Sequence, residues 1–325
     1  MNLRDEVLHV LLSSPEQFIS GAAVAQQFQV SRNAVWKAVE QLKSEGVRIA
    51  SVPNRGYKLE SVPDLYDEKS FLSLVKDCKI PWKVQWLSET ASTNDFAKSL
   101  ASDGTPEGQV IVADRQTMGK GRLGRQFHSP KGGLYMSLIL RPKLPPTQMM
   151  AVTACTAASV HQALAEFGIT AQIKWVNDLF LNGRKICGIL SEGSFNAELL
   201  RMDYLVIGIG INLHPDPHLS EVLQPIVTDL QTETGQSVLR VPLLAAILRQ
   251  LDRLLPELSA HTFLPVYSHY SMTIGRMVRV QGQNGEMTAK AVGFSDDAGL
   301  IVEKSDGSRE IIRTGTAMFV DSCFT

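Results

Sequence analysis

Residues 174–190 read KWVNDLFLNGRKICGIL. Asn182-Gly183 sits at the centre, and Asn-Gly is the dipeptide best suited to the two positive-φ positions of a tight two-residue hairpin. The apolar runs on either side then pair, Leu179–Leu181 against Lys185–Leu190, with Lys185 at the exposed end of the hairpin. Further strands are legible on both sides. VQWL and GQVIVA read as strands at 84–87 and 108–113, with the Ser/Thr/Asn-rich turn STN (92–94) and a helix between them. GGLYMSLILRP (132–142) reads as a strand, Met149–Phe167 as a buried helix, and YLVIGIGINL (204–213) as another strand, whose Gly208 and Gly210 permit close backbone approach. Trp175, in an apolar strand, is expected in the core. The middle of the chain therefore reads as an α/β (α+β) core on a mixed sheet.

GKGRLGR (119–125) interrupts that alternation. Its glycines satisfy the G-x-G-x-x-G spacing of dinucleotide-binding units, but the context is wrong. Pro130, Gly132 and Gly133 stand where a helix must run, and no Asp or Glu occurs between Asp114 and Glu166 to hold a ribose. A Walker A loop fails as well, because Gly121 follows Lys120 where Ser or Thr is required. What remains is an acid-free stretch of about fifty residues carrying Arg115, Lys120, Arg122, Arg125, Lys131, Arg141 and Lys143. Such a loop suits an anion.

The two ends of the chain read differently. Asn2–Leu12 has helical spacing, Ser20 caps a short helix over 22–28, and Ser31 caps a second, in which Val35, Val39 and Leu42 form the inner stripe. Arg32, Asn33, Trp36 and Lys37 then face outward. Gly46 ends that helix, and VRIASVPNRGYKLE (47–60) gives two strands about a turn carrying Arg55. The pattern is a winged helix-turn-helix. Although Met1–Ser61 holds seven Lys and Arg against six Asp and Glu, its cations concentrate where a recognition helix and wing would meet phosphates. After an amphipathic helix over 241–258, residues 274–319 are rich in strands and glycine turns, the pattern of a small β-barrel.

Composition bounds the function. The chain has 325 residues and a net charge of −1, so nucleic-acid binding requires a local patch. Its four cysteines, Cys78, Cys155, Cys187 and Cys323, are widely spaced, which argues against a metal knot or disulfide framework and fits a reducing cytosol, with small buried side chains as their expected role. No run has the length and polarity of a signal peptide or membrane span. A cytoplasmic protein with no membrane partner is expected.

Taken in order, the winged helix, STN, the glycine-arginine loop, K-W-V-N-D, K-I-C-G-I-L and the final barrel closely resemble the bifunctional biotin protein ligase and biotin operon repressor family over nearly the whole chain. Lys120 and Leu123 stand where many relatives have arginine, Phe127 where they have tryptophan, and Val176 where K-W-P-N-D is usual. The resemblance implies a winged helix-turn-helix over 1–62, a catalytic domain over 63–270 of the class II aminoacyl-synthetase-like kind shared with lipoate ligases, and an SH3-like barrel over 271–325. It implies that MgATP and biotin form biotinoyl-5'-AMP, that a biotin carboxyl carrier protein accepts the biotinoyl group on a lysine, and that the adenylate acts as corepressor by promoting a homodimer on operator DNA.

The resemblance also assigns roles. Lys185, Arg122 and Asp178 are the catalytic set. Ser92, Thr93, Asn94, Gln116, Lys120, Gly121, Arg122 and Lys185 would hold biotin, and Arg122, Arg125, Asn177, Lys185 and Asn212 the nucleotide. Arg32, Asn33, Trp36, Lys37 and Arg55 would meet DNA. Fixed cations offset the repulsion between a carboxylate and an α-phosphate, and a guanidinium can bridge both anions. Two roles are open to Asp178: helping to coordinate magnesium, or accepting a proton from the acceptor amine. The alternatives are a lipoate or octanoate transferase, whose arginine-plus-triple-glycine signature is absent, and a ligase-derived regulator without catalysis.

Overall fold

The computed structural model describes residues 2–61, 64–196, 198, 201–282 and 285–320. Pro63, where a domain boundary is predicted, and Cys323 lie outside the described residues. The chain divides into two compact units, Met1–Lys76 with Leu239–Pro242, and Asp77–Val238 with Leu243–Thr325.

In the first unit α1 (Leu3–Ser13), α2 (Gly21–Gln27) and α3 (Arg32–Ser44) precede the antiparallel pair β1 (Ile49–Val52) and β2 (Gly56–Leu59), and α4 (Glu68–Leu74) follows. Ser20 and Ser31 cap α2 and α3 through their hydroxyls, which accept from Ala22 N and Ala34 N. The inner stripe of α3 is Val35, Ala38, Val39 and Leu42, all buried against Leu8, Leu11 and Val24. Arg32, Asn33, Trp36 and Lys37 are exposed on the opposite side, as their spacing predicts. Lys43 Nζ lies 2.9 Å from both Glu40 of α3 and Ser51 of β1, tying the helix to the wing. Arg55, in the wing turn, stacks 4.3 Å from the ring centre of Phe18.

The second unit is built on a seven-stranded sheet. Its elements are β3 (Lys83–Leu87), α5 (Thr93–Ser102), β4 (Gln109–Ala113), β5 (Gly133–Leu140), α6 (Met149–Ala165), β6 (Gln172–Lys174), β7 (Asp178–Leu181), β8 (Arg184–Asn196) and β9 (Arg201–Asn212). Strand order is β3-β4-β5-β9-β8-β7-β6, and only β3 and β4 run parallel. The sheet is therefore mixed, as expected. Ala97 and Ala101 of α5 bury against Ile111, Ile139 and Val206 of three neighbouring strands. Alanines at that contact let the helix lie close to the sheet.

The short α7 (Leu230–Thr234) is followed by α8 (Arg240–Leu254) and α9 (Leu264–His269). The sequence predicts α8 to run to Leu258, yet it stops at Leu254. Pro256 is the reason, because proline lacks an N–H and disfavours helical geometry in the residue before it. The strands β10 (Met277–Gly282), β11 (Gly285–Phe294), β12 (Leu300–Glu303), β13 (Arg309–Ile312) and β14 (Met318–Phe319) form an antiparallel sheet in the order β13-β12-β11-β10-β14. This five-stranded sheet is consistent with the predicted small barrel. Trp175 is core, as expected: it is buried, and its indole N–H donates to Ala298 O at 3.0 Å.

Candidate active site

Strand register builds the floor of the site. Ser137 pairs with Gly208 and Gly208 with Leu190; one pleat further, Tyr135 pairs with Gly210, Gly210 with Gly188 and Gly188 with Asp178. Residues two apart on a strand share a face, so Gly188, Gly208 and Gly210 leave a hollow on one side of the sheet. Neighbours occupy that hollow closely. A Cβ on Gly208 would overlap the Asn94 carboxamide, and one on Gly188 or Gly210 would press into the Phe127 ring.

Over this floor stands the N-terminus of α5. Ser92 is its cap, and Thr93 and Asn94 open it, all three buried. Thr93 donates through N and Oγ1 to Gln116 Oε1 at 2.8 and 3.0 Å, and Gln116 Nε2 donates to Ser129 Oγ at 2.9 Å. Ser137 Oγ lies 2.8 Å from Thr93 Oγ1 and 2.6 Å from Asn94 Oδ1. Asn94 Nδ2 donates to Glu192 Oε2 at 2.8 Å. These fixed dipoles surround a cleft of about 450 Å³ that Lys120, Gly121, Arg122, Asn177 and Lys185 also line. The cleft thus gathers every residue the sequence assigned to biotin. Ser137 and Glu192, which sequence reasoning missed, do not line the cleft but hold Thr93 and Asn94 from behind it. Ser137 had a signal: it is the one small polar side chain in the otherwise largely apolar run LYMSLIL.

The glycine loop is a small hairpin. Phe127 N donates to Gly119 O at 2.8 Å and Gly121 N to Arg125 O at 2.7 Å, while Arg122–Gly124 forms a single 3₁₀ turn. Leu123 and Gly124 at its tip have φ of +56° and +72°. The loop is acid-free in sequence but not in space, because Lys120 pairs with Asp95 of α5 at 2.7 Å. Burial pushes the Asp95 carboxyl up, but bonds from Lys120 and Lys98 outweigh it and hold the group below the ordinary carboxylate range. Arg122 turns inward, its NH1 3.2 Å from Asn177 Oδ1. Burial lowers its pKa and Asp178 partly opposes that, and a guanidinium stays charged in either case.

Lys185 reaches the same face only through an irregularity. Phe180 pairs with Lys185 while Leu179 pairs with Cys187, so Ile186 is an extra residue in β8. Without it, Lys185 would point to the other side of the sheet, because a one-residue slip reverses every side chain. The bulge sets Lys185 Nζ 2.7 Å from Asp178 Oδ1 and 5.9 Å from the centre of the Phe127 ring. Lys174, the first residue of the K-W-V-N-D run, goes elsewhere: it is buried with Nζ 5.6 Å from the Phe180 ring centre and 5.0 Å from that of Phe319, and burial lowers its pKa.

A second, wider cavity of about 1440 Å³ adjoins the first and shares Phe127 and Lys185 with it. Arg125 and Asn212 line this second cavity, whereas Arg122 and Asn177, also assigned to the nucleotide, line the first. Asn212 Nδ2 donates to Thr228 O at 2.9 Å. Among the described residues no group of three or more His, Cys, Asp or Glu side chains could hold a metal ion, and no helix is long and apolar enough to cross a membrane. Cys155 and Cys187 are buried as expected; burial pushes the Cys155 thiol up to about 12 and Cys187 higher still.

Comparison with known proteins gives three family matches: residues 86–212 to the biotin/lipoate A/B protein ligase family, 4–58 to a helix-turn-helix domain, and 273–320 to the biotin protein ligase C-terminal domain. The bifunctional ligase/repressor BirA of Bacillus subtilis is 34% identical over 95% of this chain and 96% of its own length. The Escherichia coli protein of the same name is 27% identical over 91% of each. Among solved structures, the biotin protein ligase of Aquifex aeolicus in complex with biotin and ATP aligns with a TM-score of 0.62 and 31% identity, covering 74% of this chain and 99% of the other.

Proposed function

The chain belongs to the family of bifunctional biotin protein ligases and biotin operon repressors, and on that premise we propose how its two joined cavities divide the work. It is an ATP-dependent biotin protein ligase and a biotin-responsive repressor. The narrow cleft takes biotin, whose neutral ureido ring suits the fixed dipoles of Ser92, Thr93, Asn94 and Gln116. The wide cavity takes the adenosine and phosphates of ATP beside Arg125 and Asn212. The observation that carries this division is Lys185, which lines both cavities at their junction.

In the first half-reaction the biotin carboxylate oxygen attacks the α-phosphorus of ATP and the bond to pyrophosphate breaks, leaving biotinoyl-5'-AMP. Two anions meet at that step. Lys185 Nζ and the half-buried Arg122 guanidinium supply the opposing charge, and fixed cations in a partly water-excluded site stabilise the transition state. In the second, a carrier lysine amine attacks the mixed-anhydride carbonyl and AMP leaves with the bonding electrons. Asp178, whose carboxylate lies 2.7 Å from Lys185 Nζ, is the base proposed to accept the proton. Magnesium, when bound, screens the phosphate charges. Asp178 is the residue that would help to hold it.

The acceptor is a lysine on the biotin carboxyl carrier protein of acetyl-CoA carboxylase, the enzyme named for relatives such as that of Paracoccus denitrificans. Arg32, Asn33, Trp36 and Lys37 of α3 with Arg55 of the wing are the DNA-facing set. A lone winged helix makes few phosphate contacts, so two copies on one operator are needed, and biotinoyl-5'-AMP promotes that homodimer. Biotin-dependent exchange of pyrophosphate into ATP tests the ligase, with lipoate and octanoate as competing acids: exchange with biotin alone is expected, and exchange with lipoate instead would overturn the reading. Sedimentation velocity with the adenylate tests the corepressor role, and an unchanged monomer–dimer equilibrium would refute it.

A further inference from the structure

One ion pair at the wide cavity has no part in the chemistry just set out. Asp216 Oδ2 lies 2.7 Å from His128 Nε2, joining the segment just after the glycine loop to the segment that follows β9. The two segments form opposite banks of the cavity, Arg125–Lys131 on one side and Asn212–Asp229 on the other. The second bank is also tied down at its far end, where Lys185 N donates to Ile226 O at 2.8 Å and Thr228 N to Lys185 O at 2.9 Å. One end of this bank is thus anchored on the main chain of the catalytic lysine. The other end is held by His128.

Local sequence sets Asp216 for this contact. Pro215 and Pro217 flank it and restrict the backbone on both sides. Its Oδ1 accepts from His218 N at 3.0 Å, and its side chain is only 12% exposed against 48% for His128. Burial pushes the carboxyl up, but the bonds from His128 and from the His218 N–H outweigh it and hold the group below the usual range.

Resting on the assignment of this cavity to the nucleotide, we propose that His128 and Asp216 form a clasp that positions the two banks around ATP and keeps a carboxylate from repelling its phosphates. His128 and Asp216 are positioning residues in this scheme. The charged and titratable groups around the pair are Arg115, Arg125 and Lys131 on the His128 side, and His214, His218 and Asp229 on the other, with Lys185 at the cavity floor. His214 is engaged separately, its Nδ1 2.8 Å from Gln231 Oε1. With the His128 contact in place, the Asp216 carboxylate is engaged. Without it, the carboxylate stands uncompensated near an incoming polyanion.

The Asp216 carboxyl, held below the usual range, keeps its charge from mildly acidic pH upward, so the clasp has a carboxylate to shield throughout the working range.

The test is steady-state kinetics on the full-length protein and on His128→Ala, Asp216→Asn, the double variant and His128→Lys, with Tm measured to confirm folding. His128→Ala should raise the KM for ATP about fivefold while kcat and the KM for biotin stay within about twofold. The double variant should be no worse than His128→Ala, because it lacks the stranded carboxylate. His128→Lys should recover most of the loss. Equal effects on both substrates, or no recovery with His128→Lys, would overturn the clasp. Arg125→Ala separates the two ideas: if it raises the KM for ATP while His128→Ala does not, the clasp fails and the nucleotide assignment stands, and if neither variant moves it, the assignment itself fails.

Discussion

The two cavities of the catalytic unit are built on opposite principles. The narrow one rests on strand glycines and a helix N-terminus whose polar groups already satisfy one another, from Gln116 through Thr93 and Ser137 to Asn94. The wide one is walled by two loops, held by main-chain bonds at Lys185 and by one ion pair at His128. The ligands proposed for the two cavities would explain the contrast. A small neutral ring is discriminated by rigid dipoles that cost nothing to reorganise, whereas a flexible polyanion is met by cations on segments that adjust. Substitutions in the narrow cleft should therefore alter biotin recognition and stability together, while those around the wide cavity should alter ATP affinity and leave the fold alone.

The largest effect is expected where the two meet. Lys185→Ala should reduce pyrophosphate exchange on the order of a hundredfold, roughly 3 kcal/mol of transition-state stabilisation, with Tm close to the parent's. A folded variant within about threefold of the parent would remove Lys185 from the chemistry and with it the junction on which the comparison depends. Next comes the floor. Gly208→Ala drives a methyl into the Asn94 carboxamide, so the KM for biotin should rise about tenfold and stability fall by about 1–3 kcal/mol, with the KM for ATP unmoved. A parallel rise in both constants would show that the cavities do not act separately. The smallest effect belongs to Arg125→Ala, an exposed cation at the wide cavity: about a threefold rise in the KM for ATP, diminishing at high salt because exposed charges are screened. If salt left that ratio unchanged, the wide cavity would be more enclosed than its loops indicate.

Much of this molecule is legible in its sequence because the decisive signals are local. Asn182-Gly183 dictates a hairpin, and Ser31 and the 35/39/42 stripe orient α3, each within a few residues. Local periodicity also fixed the error at the end of α8, since apolar spacing continues past a point where Pro256 forbids the helix.

What the chain alone could not decide are relations between distant segments. Asp95 lies far from Lys120 in sequence and neutralises it in space, and Ser137 joins Thr93 and Asn94 across more than forty residues. The aim of Lys185 is the clearest case. A strand read with strict alternation sends it to the wrong face, and only the extra residue at Ile186, visible when β8 is set against β7, turns it toward Asp178. Side-chain alternation is a property of one strand and is written in its sequence; register is a property of two, and the tertiary structure decides it.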